Sequence, residues 1–98
     1  MKAKSLEQTI DKLRKSLDAE DRKILAALKK RFNIAQRIGA VKEKINAPVL
    51  QESRWAEVLK DRLKRAKVLG ISESFVAKVY SLVHEESLRL QKKVRKKK

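Results

Sequence analysis

Between Leu6 and Ile45 the chain keeps one apolar rhythm without a stop. Leu6, Ile10, Leu13, Leu17, Ile24, Leu28, Ala35, Ile38 and Ile45 recur at three-four spacing, which puts side chains on one face of an α-helix. No proline or glycine falls in this stretch before Gly39. The pattern predicts a single helix from about residue 5 to about residue 45, roughly 60 Å long at 1.5 Å rise per residue. Such a rod is about twice the span of a small domain, and 98 residues make at most one domain. A chain of this size cannot cover the whole seam by itself, so the helix length alone predicts an obligate homodimer.

The remainder reads as two shorter helices. Two glycines and one proline are too few turn formers for a hairpin-rich sheet protein. Asn46-Ala47-Pro48-Val49 ends the first pattern, since proline lacks a backbone donor and biases the preceding residue away from helix. A second helix is predicted from about Gln51 to Leu69, with Trp55, Val58, Leu59, Leu63 and Ala66 on one side. Gly70 stands where a left-handed helix end is expected. Ser72 suits the N-cap of a third helix, which carries Phe75, Val76, Val79, Tyr80, Val83, Leu90 and Val94. The expected fold is all-α: three helices per protomer, one of them a very long N-terminal helix, in an intertwined helical homodimer. Residues 1–98 read as a single domain, with 92–98 as a basic tail.

Composition narrows the chemistry. Cysteine is absent, which removes disulfides and thiolate metal sites, and His84 alone cannot build a multi-histidine cluster. No apolar run approaches the roughly 20 residues that span a bilayer. Met1-Lys2-Ala3-Lys4-Ser5 lacks the apolar stretch of a signal peptide. The expectation is a cytoplasmic protein with no thiolate or multi-histidine metal site and no membrane association. A net charge of +15 implies an anionic partner or substrate, and nucleic acid is the usual first candidate. Yet six of the cationic side chains lie in the tail from Lys92 to Lys98, the others form no dense stripe, and the aromatics are only Phe32, Trp55, Phe75 and Tyr80.

The informative residues are polar ones that interrupt the apolar seam. Arg31 and Lys42 fall on the line of the first helix, eleven residues apart. That is about three full turns, so both face one way, roughly 16 Å apart along the axis. Burying unpaired cations costs several kcal/mol each, and a small dianion lodged between them would relieve that cost. The competing reading has both side chains reach water or pair with carboxylates such as Asp21 or Glu52. On the third helix, Ser87 lies on the line of Val76, Val79, Val83 and Leu90, and Gln91 follows one turn later. Both can donate to an oxygen, or else they are a small residue at a helix crossing and an amide near a helix end. Arg14 is rotated about 100° from the Arg31–Lys42 face. It serves the partner's pocket in a dimer, or pairs on the surface with Asp11 or Asp18.

Leu13 to Lys42, LRKSLDAEDRKILAALKKRFNIAQRIGAVK, resembles the first helix of the all-helical chorismate mutases. The shared features are Arg14, Leu17-Asp18, Asp21, Ile24, Leu28, Arg31, Ile38-Gly39 and Lys42. Pro48-Val49 followed by Arg54 is similar to the family's next segment, and HEESLRLQ, from His84 to Gln91, to its closing motif. The resemblance implies a three-helix protomer paired through its first helix, with two shared active sites and no cofactor. It implies that Arg14 from the partner chain and Arg31 clamp the two carboxylates of chorismate. Arg54 and Ser87 would support carboxylate binding, and Lys42 and Gln91 would hydrogen-bond the ether oxygen.

Two positions depart from the pattern. Trp55 stands where many members carry an acid facing the substrate hydroxyl, and Gln51 stands at another position that is often acidic. Gln51, or its backbone, becomes the candidate for the hydroxyl, and Trp55 reads better as a core anchor. These departures keep open an isochorismate-pyruvate lyase on the same scaffold. A basic helical nucleic-acid-binding protein is the rival from another class.

Overall fold

A computed structural model describes the backbone of residues 2–96 and the side chains of residues 2–94. Met1 and the last two residues of the basic tail, Lys97 and Lys98, lie outside them. The fold is all-α, with three helices in the order α1 (Lys2–Lys44), α2 (Glu52–Leu69) and α3 (Glu73–Lys96), and no strand among the described residues. α1 is the long N-terminal helix that the apolar rhythm predicts. α3 runs on through Lys96, so residues 92–96 of the basic tail are helical.

The chain divides into two compact units, residues 1–31 and residues 32–98. The first is the leading part of α1. Its apolar stripe lies open: Leu6, Ile10, Leu13, Leu17, Ile24 and Leu25 are all exposed, Leu17 at 63%. Among the described residues of this unit, Leu28 and Arg31 are half-buried and the others exposed.

The second unit holds the end of α1, α2 and α3. α2 and α3 run antiparallel. Trp55 near the start of α2 stacks on His84 with ring centroids 4.0 Å apart and planes 10° from parallel, while Arg62, further along, lies over the Tyr80 ring. The core is built from small side chains: Ala35, Val49, Val58, Ala66 and Val83 are buried. Small residues let helix axes approach closely, so backbone and short polar groups come within each other's reach.

Each helix end has a local cause. Asn46 takes a positive φ of 57°, which asparagine tolerates better than most residues. Ala47 N–H then donates to Lys42 O at 2.8 Å and Asn46 N–H to Glu43 O at 3.2 Å, so the carbonyls at the end of α1 are satisfied. Gly70, with φ 73°, closes α2 in the same way: Ile71 N–H reaches Ala66 O and Gly70 N–H reaches Lys67 O. Ser72 Oγ accepts from Phe75 N–H at 3.2 Å and caps α3.

The buried face of α1 within this unit differs from the seam expected. Ala35 and Gly39 are buried, but Ile38 and Ile45, placed on the same seam by the sequence rhythm, are exposed, Ile45 at 68%. They form a separate stripe with Ile34 and Val41, which are also exposed. At about 100° per residue this stripe sits roughly 80° round from Ala35 and Lys42. A three-four spacing fixes a helix but admits two neighbouring faces, and small residues let α3 settle on the narrower one.

Candidate functional site

The end of α1, the loop after it and the C-terminal part of α3 converge on one side chain. Lys42 is half-buried. Its Nζ donates to Val49 O at 2.7 Å and to Gln91 Oε1 at 3.1 Å. Both acceptors are on buried residues. The loop folds back over Lys42 twice, since the Lys42 carbonyl also receives Ala47 N–H. Pro48 and the left-handed Asn46 turn the chain sharply enough to aim the next carbonyl at the ammonium.

The bond to Gln91 settles which way that amide faces. An ammonium has donors and no acceptor, so the amide oxygen must be the atom turned to Lys42. The Gln91 Nε2 group is then a second donor beside the first, held on a buried residue. Two neighbouring donors, one cationic, form a place where negative charge on an oxygen is stabilised. Two of the lysine's bonds end on uncharged oxygens, which orient an ammonium without cancelling its charge.

Ser87 lies one turn before Gln91 and is equally buried. Its Oγ donates to Val83 O at 2.9 Å. Lys42, Gln91 and Ser87 thus occupy buried or half-buried positions in one unit. The structure does not bring Arg54 and Gln51 into direct contact with them. Arg54 is exposed and sits 4.0 Å from Glu57. Gln51 is exposed and precedes α2 in extended conformation, with no side-chain cap bond. Trp55 is half-buried against His84, as the anchor reading expects. In the first unit, Arg31 is half-buried, and Arg14 is exposed with Asp11 at 3.8 Å, the surface pairing that sequence spacing allows.

Three contacts escaped the sequence reading, although Gly39 and His84 both lie in the motifs that carry the resemblance. The Val49 carbonyl carries no residue signature at all. The stacking of His84 on Trp55 joins residues 29 apart in sequence, and no local pattern announces it. Gly39 had a signal, because glycine inside a helix costs roughly 1 kcal/mol relative to alanine and needs a reason to be there. Among the described residues no group of three or more His, Cys, Asp or Glu side chains is placed to hold a metal ion, and no helix is long and apolar enough to cross a membrane. A shallow concavity on α2, lined by Asp61, Lys64, Arg65, Val68 and Leu69, shares no residue with the Lys42 cluster.

Comparison with known proteins bears on residues 13–92, which match the family described as "Chorismate mutase type II". The 4-amino-4-deoxychorismate mutase of Streptomyces pristinaespiralis is 34% identical over 82 residues, covering 84% of this chain and 64% of that protein. The 4-amino-4-deoxychorismate mutase of Streptomyces venezuelae is 31% identical over 83 residues, covering 84% and 80%. The bifunctional chorismate mutase/prephenate dehydratase of Aquifex aeolicus is 31% identical over 91 residues, covering 90% and 25%. The chain therefore spans less than two thirds of the first of these relatives and a quarter of the third. No solved structure gives a significant match. Arg14, Arg31, Lys42, Gln51, Arg54, Ser87 and Gln91 all lie inside the matched segment.

Proposed function

We infer the activity from one premise, that this chain belongs to the chorismate mutase type II family: it isomerises chorismate to prephenate, a step of aromatic amino-acid biosynthesis, by an intramolecular rearrangement. One bond breaks at the ether oxygen while a carbon–carbon bond forms. The reaction calls for no nucleophile from the protein. The protein's task is to hold the compact conformer in which the reacting carbons meet and to favour the charge of the transition state over that of the ground state.

The observation that carries this reading is the Lys42–Gln91 pair. As the ether bond stretches, negative charge grows on its oxygen. Lys42 Nζ and Gln91 Nε2 are the two donors for it, and both are positioned before the reaction starts. Arg31 and the partner's Arg14 take the two carboxylates of the substrate, where a planar guanidinium fixes direction as well as distance. Arg54 supports carboxylate binding, Ser87 joins it by turning its hydroxyl hydrogen from Val83 O to the substrate, and Gln51 takes the substrate hydroxyl. The active form is a homodimer with two shared sites. The support for it is the open apolar stripe of α1, from Leu6 to Leu25, which has to be covered by something of matching length.

A second reading has its own support. Two relatives are named for 4-amino-4-deoxychorismate, whose amine replaces the hydroxyl. Gln51 and Trp55, both uncharged, favour the hydroxyl, because a protonated amine wants a carboxylate. The test is direct. Purified protein is incubated separately with chorismate, 4-amino-4-deoxychorismate and isochorismate. We expect chorismate to disappear with equal formation of prephenate, and faster than the amino compound. Preference for the amino compound would shift the assignment to that substrate. Salicylate and pyruvate from isochorismate would mark a lyase, and no turnover of any of the three would end the proposal.

A further inference from the structure

We propose that Gly39 is a positioning residue for catalysis: its missing side chain lets α3 press onto α1 so that the Gln91 amide reaches Lys42. The inference rests on the assignment of Lys42 and Gln91 above and adds the element that aligns them. Gly39 is buried. A Cβ built on it would stand 2.9 Å from Gln91 Cβ, 2.9 Å from Gln91 Cγ and 3.0 Å from Gln91 Cα. Carbon atoms rest about 3.5–4.0 Å apart. The last of the three contacts is to backbone, so rotation of the Gln91 side chain cannot relieve it. With a methyl group at 39, the α3 backbone has to retreat by about 0.5–1 Å.

That retreat matters because of where it falls. Gly39 and Lys42 are three residues apart and share a face of α1. Gln91 crosses at Gly39 and reaches along the helix to Lys42 Nζ, at 3.1 Å, already near the long end for such a bond. A displacement of that size takes it out of hydrogen-bond range. Nothing then selects the amide orientation, and Nε2 loses its fixed direction. A helix-interior glycine, a cost to α1 on its own, is explained by this contact.

The test is Gly39→Ala in the full chain, with circular dichroism to establish that it is folded. We expect kcat for chorismate to fall about tenfold or more, as for loss of one preorganised donor, while KM changes by less than about threefold, since the amide acts in the transition state. In a Gln91→Ala background the same substitution should cost less than about twofold, because the group it acts through is gone. Lys42 ammonium cross-peaks in 1H–15N spectra should be present in the native chain and lost or shifted in Gly39→Ala. An unchanged kcat, a penalty that adds in full to that of Gln91→Ala, or an unaltered ammonium signal would overturn the proposal. If the variant fails to fold, contacts between the Gly39 Hα and Gln91 Hβ and Hγ protons in nuclear Overhauser spectra of the native chain decide it, and their absence counts against it. A native chain without any turnover would refute the functional assignment, while the ammonium signals and proton contacts would still judge the placement.

Discussion

Replacing Lys42 by alanine separates what this side chain does for the fold from what it does for the reaction. For the fold, the loss includes two hydrogen bonds from a charged donor, to Val49 O at 2.7 Å and Gln91 Oε1 at 3.1 Å. Such bonds contribute about 1.5–3 kcal/mol each. Against this, the variant no longer desolvates an ammonium, and Lys42 is only half-buried, so water can reach the acceptors left behind. The net cost to stability is then about 1–3 kcal/mol. At about 4–8 °C per kcal/mol for a domain of this size, Tm falls by roughly 5–20 °C. For the reaction, the proposed assignment makes the loss that of the cationic donor to the developing oxyanion, about 3–4 kcal/mol or 10²–10³ in kcat. The two effects are measured apart: thermal melts give the first, and chorismate consumption well below Tm gives the second. Lys42→Arg sharpens the result. It keeps the charge but replaces a compact ammonium by a wide planar fork, so kcat should stay depressed. A folded Lys42→Ala protein whose kcat lies within about threefold of native would refute the reasoning, because no donor worth 3–4 kcal/mol could have been removed.

Four further outcomes follow from single features. Gly70→Ala forces a side chain into the left-handed region at φ 73° with nothing within 4 Å to clash; the cost is purely conformational, about 1–2 kcal/mol, so a melting curve should shift down while kcat holds. Ser87→Ala removes a buried hydroxyl from the group assigned to carboxylate binding, and steady-state kinetics should show KM rising more than kcat falls. The Arg65 and Arg62 guanidiniums beside Asp61, Arg65 foremost, hold its carboxyl below the ordinary 3.8; the resulting stability is complete above that pH and drains away as pH falls through the lowered value. Asp61→Asn should therefore flatten the acid side of the Tm–pH curve, and an unaltered slope below about pH 4 would count against the pairing. Leu17→Glu puts a charge on the open stripe of α1, and sedimentation should show the proposed homodimer giving way to monomer; a native chain that sediments as a monomer would rule out shared sites.

Much of this architecture is legible from the residues. The three-four rhythm gives three helices, one of them long, because burial period and helix period coincide. Gly70 and Ser72 stand at the helix ends for reasons of backbone geometry alone, and both are found there. Lys42 and Gln91 attract notice because they stand among apolar neighbours, and the structure joins them. What stays hidden has a common character. The Val49 carbonyl is a backbone atom that any residue would supply. The choice between the Ala35–Gly39 face and the Ile34–Ile38–Val41–Ile45 face turns on how close two helices can come, which depends on side chains of both. Arg54 is recognisable by position, yet in the chain as it stands it lies beside its own Glu57, since an exposed arginine takes the nearest carboxylate until a better anion arrives.

On the assignment proposed above, two partners of Lys42, the Val49 carbonyl and the Gln91 amide oxygen, bear on how this half-buried cation can be held in place and still serve a reaction. A carboxylate in place of Gln91 would hold the ammonium more tightly, but it would also offset, before any substrate arrived, the charge that the transition state needs. A carbonyl and an amide oxygen fix position through geometry and leave the field of the cation standing. Gln91 adds a second advantage that a backbone carbonyl lacks, since accepting from Lys42 with its oxygen obliges it to present a donor beside the ammonium. The same logic predicts that Gln91→Glu, nearly identical in shape, is worse than its size suggests at neutral pH. It replaces the Nε2 donor by an acceptor and pairs off the lysine. Activity should recover as the pH is lowered and the carboxyl takes up a proton, becoming a donor again. The pH–rate profile of that variant would therefore rise toward acid where the native profile does not. A Gln91→Glu protein with a native profile and near-native kcat would show that the amide's donor face has no part in the chemistry.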